Sequence, residues 1–302
     1  MFFDFIFQNG DFYYEQIHSS IWDFLTTLGG IGIPVCLFYL GLRAQKKKEN
    51  TQKEEKQYDR LRYFATLVEN IITICDKQKE NCKTFSSMFE SNPIVFPELE
   101  IIIGTDIKRV VVSLNQEETY HAYLKRFGND TKRINTFRQI YSYLDYVDKI
   151  YDEHLSMLDK YKIDFKNLNS KYKEKSENLM DYIALLINRI KFNDPNYQEN
   201  KFWNFINNLI LNYYDKITEK NIQYDFDSFI NPLKHGIVND FRDITESEEI
   251  MFNAKNTTYL YTDIVRLSNE ISTNFIRYSD FFDDAYKKLK EFSDDLVKIN
   301  AT

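Results

Sequence analysis

Residues 137–172 read FRQIYSYLDYVDKIYDEHLSMLDKYKIDFKNLNSKY, and their apolar side chains recur at alternating intervals of three and four residues. The positions in this series are Ile140, Leu144, Val147, Tyr151, His154, Leu158, Tyr161, Phe165, Leu168 and Tyr172. Such heptad spacing is typical of a helix that packs lengthwise against other helices. Because the spacing returns between Ile264 and Ile299, we predict two long helices of ~50 Å each.

The residues between these two helices are less regular. Asn193-Asp194-Pro195 predicts the end of a helix, and the apolar spacing predicts another from about Tyr197 to Glu219. Residues 220–245 contain Pro232 and Gly236 and are predicted to be the least regular part of the chain.

Before residue 137, a 3–4 rhythm predicts a helix that ends at Asn92-Pro93. Residues 101–114 are rich in β-branched side chains, which leaves both helix and strand open, although the helical neighbours favour helix. Asn115 is then expected to cap a short helix that ends at Gly128.

Residues 24–42, FLTTLGGIGIPVCLFYLGL, form a run of 19 uncharged residues. A helix of that length covers ~28 Å, close to the hydrocarbon core of a bilayer. Residues 1–23 contain no Lys or Arg, whereas Arg43 and Lys46-Lys47-Lys48 follow the run directly. Since basic residues stay on the cytoplasmic side, we predict a single-pass protein of the inner membrane with its N-terminus outside and its C-terminal domain in the cytoplasm.

Two other interpretations of this run fit less well. A cleavable signal peptide needs a basic start, but the chain begins MFFDFIFQNGDF. A buried core helix in water would be weakened by Gly29, Gly30 and Gly32, whereas small residues are common in lipid.

The predicted fold class is therefore all-α, with one N-terminal transmembrane helix and a cytoplasmic body of long, heptad-patterned helices. Residues 1–20 form an external aromatic segment, residues 21–42 the transmembrane helix and residues 43–302 the cytoplasmic helical domain. A sub-boundary near 193–196 is possible in that domain.

One face of the predicted span carries small or weakly polar residues. At 100° per residue they share one sector of the helix. They are Asp23, Thr26, Thr27, Gly30 and Pro34, followed by Gly41. Such a stripe is a candidate helix–helix contact, or, with several copies around an axis, the lining of a narrow pore.

Motifs for catalysis or metal binding are lacking. The chain has no Cys pair at two-residue spacing, no HExxH, no G-x-S-x-G and no phosphate-binding glycine loop. Glu118-Thr119-Tyr120-His121 is a lone half of a di-iron motif that needs two copies. We therefore expect no enzyme activity, no metal and no cofactor.

Several other polar residues have structural interpretations. His154 lies on the apolar seam, where a hydrogen-bonded core histidine is expected. Cys75 and Cys82 are ~10.5 Å apart along one helix, too far for a disulfide. The carboxylate pairs Asp283-Asp284 and Asp294-Asp295 are assigned to solvated helix faces.

The best candidate ligand site lies between residues 108 and 138. Cations that can bind phosphate alternate there with rings that can stack on bases. The candidates are Lys108, Arg109, Tyr120, Tyr123, Lys125, Arg126, Lys132, Arg133 and Arg138. The alternative is an ordinary solvated helix surface, because Asp106, Glu117, Glu118 and Asp130 dilute the charge, and the net charge of the chain is −7.

A short outside tail, the span at 24–42 and an inward helical body give the chain a layout that resembles the single-pass membrane effectors of bacterial anti-phage (abortive-infection) systems. The resemblance implies a homo-oligomer in the lipid bilayer. Its cytoplasmic body would bind a signal, such as a nucleotide or short nucleic acid, and control membrane permeability. The alternatives are a membrane-tethered scaffold that holds a protein partner and an enzyme with an unrecognised site.

Overall fold

The computed structural model of the protein describes the backbone of residues 7–8, 11–12, 21–215 and 221–301, and the side chains of residues 35–215 and 221–299. The predicted all-α class is confirmed, and the other regular structure in these ranges is one antiparallel pair of two-residue strands. The elements in chain order are β1 (Phe7–Gln8), β2 (Asp11–Phe12), α1 (Ile21–Ser91), α2 (Thr105–Lys108), a π-helical turn (Arg109–Ser113), α3 (Gln116–Phe127), α4 (Thr131–Asn193), a 3-10 turn (Tyr197–Glu199), α5 (Lys201–Asp215), α6 (Ile222–Asp225), a second π-helical turn (Phe226–Ile230), α7 (Asn231–Asp240), α8 (Thr245–Val297) and a final 3-10 turn (Lys298–Ala301).

The chain divides into two compact units, Met1–Leu61 and Arg62–Thr302, and α1 contributes residues to both. In the first unit, residues 35–56 of α1 are all exposed. The predicted external segment at residues 1–20 lies outside the described side chains, as does the part of the predicted span at residues 24–34. In the part of the chain that the structure describes, no helix has an apolar stretch long enough to cross a bilayer.

The second unit begins with the last thirty residues of α1, which pack against α4 and α8. Phe64 of α1 stacks on Tyr141 of α4 with ring centroids 5.3 Å apart, and Phe85 of α1 lies 4.6 Å from Phe275 of α8. The predicted heptad seams of α4 and α8 supply most of the buried side chains of these two helices. The long-helix prediction is therefore confirmed for both.

Several helix ends lie where the neighbouring residues predicted them. Helix α1 ends at Ser91, directly before Asn92-Pro93. Asn115 caps α3 by accepting a hydrogen bond from the Glu118 backbone N–H, and Gly128 follows with a φ of 101°, which favours glycine. Helix α4 ends at Asn193, inside the second unit. Residues 101–114 contain a short helix and a π-helical turn, so helix was the better choice there.

A second hydrophobic cluster refines one prediction. Residues 220–245 were expected to be the least regular part of the chain, and they do contain short helices and a π-helical turn, but residues 222–240 are helical throughout and pack against the C-terminal half of α4. Pro232 lies in the first turn of α7, where proline is tolerated. Gly236 faces Phe205 of α5, and a Cβ there would lie only 2.1 Å from the ring. Both residues indicated low regularity in the sequence, but in the structure Pro232 permits the helix start and Gly236 permits close packing.

Candidate binding groove

The predicted site at residues 108–138 contains two cations that acidic neighbours neutralise. The Lys108 Nζ lies 2.8 Å from Asp148 Oδ1 and 2.6 Å from Asp152 Oδ2, both on α4. Hydrogen bonds to these carboxylates raise the pKa of Lys108. The Arg109 guanidinium lies 2.7 Å from Asp106. Each of these two charges is therefore already compensated by a carboxylate.

The aromatic side chains of the predicted site belong to the core. Tyr123 is buried, with ring centroids 4.8 Å from Phe127 and 5.2 Å from Phe137. Tyr120 is half-buried and also packs on Phe137, at 5.2 Å. Rings held in this way do not offer a free face for a base.

The remaining cations lie on the surface around the start of α4. Arg133 forms an ion pair of 2.7 Å with Asp295 of α8. With Lys132 it lines a cleft of about 670 Å³ that also contains Glu291, Asp294 and Asp295, and Lys125, Arg126 and Arg138 are exposed elsewhere.

The structure does not bring the nine predicted residues together. The partner of Lys108, Asp148, lies fifteen positions after Arg133 on α4, a separation of ~22 Å along the helix. The span residues proposed for packing or pore lining, Asp23, Thr26, Thr27, Gly30 and Pro34, lie outside the described side chains.

A stronger basic surface lies on α4, and the sequence analysis missed it. Residues 160–175, KYKIDFKNLNSKYKEK, contain six lysines and only two acids. The signal was present as a charge run, but it is interleaved with the apolar seam positions that dominated the interpretation. The six residues are Lys160, Lys162, Lys166, Lys171, Lys173 and Lys175.

Three of these lysines share one groove. Lys162, Lys166 and Lys173 lie within a sector of ~40° on α4, and all three are exposed. They face the segment Ile94–Ile101 across a cavity of about 900 Å³, which we call the lysine groove. Among the described residues, no carboxylate forms an ion pair with any of the three.

The rest of the groove is mainly aliphatic, with one polar atom that lacks a partner. Val95 and Ile101 of the facing segment are 51% and 40% exposed. Asn169 lies between the lysines along α4, and its Oδ1 is buried without a hydrogen-bond donor among the described residues. Two acids, Glu98 and Asp159, also line the groove.

The segment that forms the opposite wall is fastened to the three long helices. The Asn81 side chain of α1 donates a hydrogen bond of 2.9 Å to the Glu100 carbonyl, and the Ile102 N–H donates one of 3.0 Å to the buried Gln78 side chain. The Tyr151 hydroxyl of α4 accepts from the Gly104 N–H at 3.0 Å and donates to the Ile102 carbonyl.

The beginning of the same segment is held equally well. Ser268 of α8 donates to the Pro93 carbonyl. The Phe96 ring packs against Phe85, Phe89 and Phe165 at centroid distances of 5.4 to 5.8 Å. An irregular segment with this many contacts is a fixed wall.

The acidic pairs of α8 need a correction. Asp283 lies 3.2 Å from Lys79 of α1 and also pairs with Lys287, while Asp295 pairs with Arg133 of α4. Asp283 and Asp295 therefore also join helices, which the prediction did not include, whereas Asp284 and Asp294 lie on exposed helix faces as predicted. The inter-helix pairs were missed because Lys79 and Arg133 are distant in sequence from their partners.

One buried histidine and two buried cysteines have structural roles. The His154 Nδ1 lies 2.6 Å from the Tyr151 carbonyl, and its ring packs on Phe282, so the core-histidine prediction is confirmed. Burial lowers the pKa of His154. Cys75 and Cys82 are buried free thiols, as predicted, and burial raises the pKa of each to about 12.

No cluster of three or more His, Cys, Asp or Glu side chains that could hold a metal occurs among the described residues. What distinguishes the described surface of the second unit is the lysine groove. No family model, no curated protein and no solved structure matches this chain.

Proposed function

We propose that the protein is an oligomeric, non-enzymatic membrane effector of anti-phage defence, whose helical body senses a ligand or partner and controls membrane permeability. The observation that carries this proposal is the exposed apolar surface of α1 in the first unit. Between Val35 and Leu42, large apolar side chains are 48% to 71% exposed. They are Val35, Leu37, Phe38, Tyr39, Leu40 and Leu42.

These side chains point in all directions around the helix. At 100° per residue, the six side chains leave no gap wider than ~100° around the circumference. A single partner helix covers only one stripe, whereas lipid covers every side. The uncharged run at residues 24–42 supplies the length for one crossing.

The basic residues support an orientation. Arg43 and Lys46-Lys47-Lys48 directly follow the apolar run, and residues 1–23 contain no Lys or Arg. The positive-inside rule then places the N-terminus outside and the helical body in the cytoplasm, at the inner membrane.

Control of permeability requires more than one copy, because a single helix cannot enclose a water path. The stripe of Asp23, Thr26, Thr27, Gly30 and Pro34 is the proposed contact or lining face. Small side chains allow close approach there, and hydroxyls can form hydrogen bonds between helices.

The test is ion flux from vesicles that contain the purified full chain, combined with crosslinking in the membrane. We expect crosslinked oligomers and flux, and loss of both in Gly30→Leu. The matched control is Gly32→Leu, which adds the same side chain to another face and should retain both. If the wild type crosslinks only as a monomer, the oligomeric effector is ruled out.

The alternative function is a membrane-tethered scaffold, and one surface of the second unit favours it. Val238 of α7 and Phe252 and Tyr259 of α8 are 49% to 64% exposed and line a cavity of about 820 Å³. Exposed apolar patches of this kind are typical of protein-binding sites. The scaffold would be favoured if vesicles that contain the protein show no ion flux and if Phe252→Ser abolishes binding of a protein partner.

A further inference from the structure

We propose that the lysine groove binds an acidic, extended peptide segment of a partner protein whose side chains alternate between carboxylate and aliphatic. The biological meaning of this site rests on the proposed sensing role of the body, but the binding itself does not depend on membrane permeability. Three features of the groove support this ligand: its charge, its apolar surface and one unpaired hydrogen-bond acceptor.

The charge comes from three ammonium groups in a row. Lys162 and Lys166 are one helical turn apart, and Lys173 is seven residues further, so the row is ~16 Å long. An extended peptide rises by ~3.3 Å per residue, so about five residues span the row. Ammonium groups act as point charges on carboxylates and need no fixed bidentate geometry.

The apolar part of the lining favours a peptide over a nucleic acid. Val95 and Ile101 expose aliphatic side chains to the groove. The rings that line it are Phe96, which packs on three other phenylalanines, and Phe165, which is buried. Single-stranded nucleic acids are usually held by rings with a free face, and aliphatic side chains are the better match for those of a peptide.

The unpaired hydrogen-bond acceptor in the groove also favours a peptide over a nucleic acid. The Asn169 Oδ1 is buried in the groove without a donor among the described residues. Leaving a buried acceptor unpaired is unfavourable. A peptide backbone N–H can donate to this oxygen, whereas a phosphate group at neutral pH offers mainly acceptors. The two exposed acids that line the groove, Glu98 and Asp159, can accept from other N–H groups of the peptide.

The experiment measures binding to the purified full chain in detergent micelles at physiological salt. The probe is a fluorescent decapeptide of alternating Glu and Val, and a decapeptide of alternating Lys and Val is the negative probe. We expect the Glu probe to bind and the Lys probe not to bind. A single-stranded oligothymidylate of ten nucleotides and inorganic triphosphate are measured in parallel.

Two triple variants carry the same change of charge on opposite sides of one helix. The test variant is Lys162→Glu, Lys166→Glu and Lys173→Glu, and the control is Lys160→Glu, Lys171→Glu and Lys175→Glu. Because charges are screened over about 8 Å at this salt concentration, we expect the test variant to lose affinity by about tenfold or more. The control should lose less than about threefold. Asn169→Leu should also weaken binding without changing the salt dependence.

Several outcomes would overturn the proposal. Equal losses in the two triple variants would mean general attraction to a basic helix. A different outcome is that the oligothymidylate binds and the Glu probe does not. If the test variant then loses affinity for the oligothymidylate, the groove is a nucleic-acid site. Binding of neither probe would leave the groove without this role, whereas flux through vesicles reports separately on the proposed membrane function.

Discussion

Arg133, in the first turn of α4, lies 2.7 Å from Asp295, in the last turn of α8. The residues are 162 positions apart in sequence, and their ion pair joins the two longest helices of the second unit at one end. The pair also removes the charge of Arg133 from the predicted phosphate site.

The first prediction concerns this ion pair. Asp295→Asn should reduce the free energy of unfolding at pH 7 by about 0.5 to 1 kcal/mol, because both side chains are partly exposed and solvent weakens the attraction. Arg133 lowers the pKa of Asp295, so this contribution is present above the ordinary pKa and is lost as the pH falls through the lowered value. Urea unfolding should therefore show a difference at pH 7 that shrinks towards pH 3. Asp294→Asn, which affects a pair within one helix turn, is the control.

The second prediction concerns His154. Its pKa is lowered by burial, so below about pH 6.5 the unfolded chain binds a proton that the folded chain does not. We expect stability to decrease as the pH falls from 7.5 to 5.5, with a slope of at most ~1.4 kcal/mol per pH unit from this group. His154→Phe should flatten the slope, while the same change at the exposed His121 should not. An unchanged slope in His154→Phe would contradict the assignment.

The third prediction concerns Gly236. Alanine at a helix position is ordinarily favourable by up to ~1 kcal/mol, but here its Cβ would lie 2.1 Å from Phe205. We expect Gly236→Ala to destabilise the protein by about 1 to 3 kcal/mol through overpacking. In a Phe205→Ala background the same change should become neutral or stabilising. A cost that is the same in both backgrounds would show that the ring is not its cause.

The fourth prediction concerns membrane topology. A reporter enzyme that is active only outside the cytoplasm should be silent when fused after Thr302. The same reporter placed before Met1 should be active. The opposite pattern would reverse the orientation, and silence at both ends would argue against a span at residues 24–42.

Local chemistry explains what the sequence predicted well. The heptad spacing predicted α4 and α8, because the buried face of a helix depends on the spacing of apolar residues within that helix. Asn115 predicted the start of α3, because its side chain can cap a helix. The ion pairs were not predictable in this way. Lys108 meets Asp148, and Arg133 meets Asp295, only after distant helices pack together. The lysine groove was missed for a related reason, because its second wall is an irregular segment some sixty residues earlier.

The anchoring of that wall lowers the entropic cost of binding a ligand in the lysine groove. The hydrogen bond that Asn81 donates, the one that Gln78 accepts and those of Tyr151 already fix the segment before any ligand arrives. A preorganised wall loses little conformational entropy on association, so hydrogen exchange of residues 100–104 should be slow and nearly the same with and without peptide. Tyr151→Phe would loosen this wall, and affinity should then fall although no contact to the ligand has been removed.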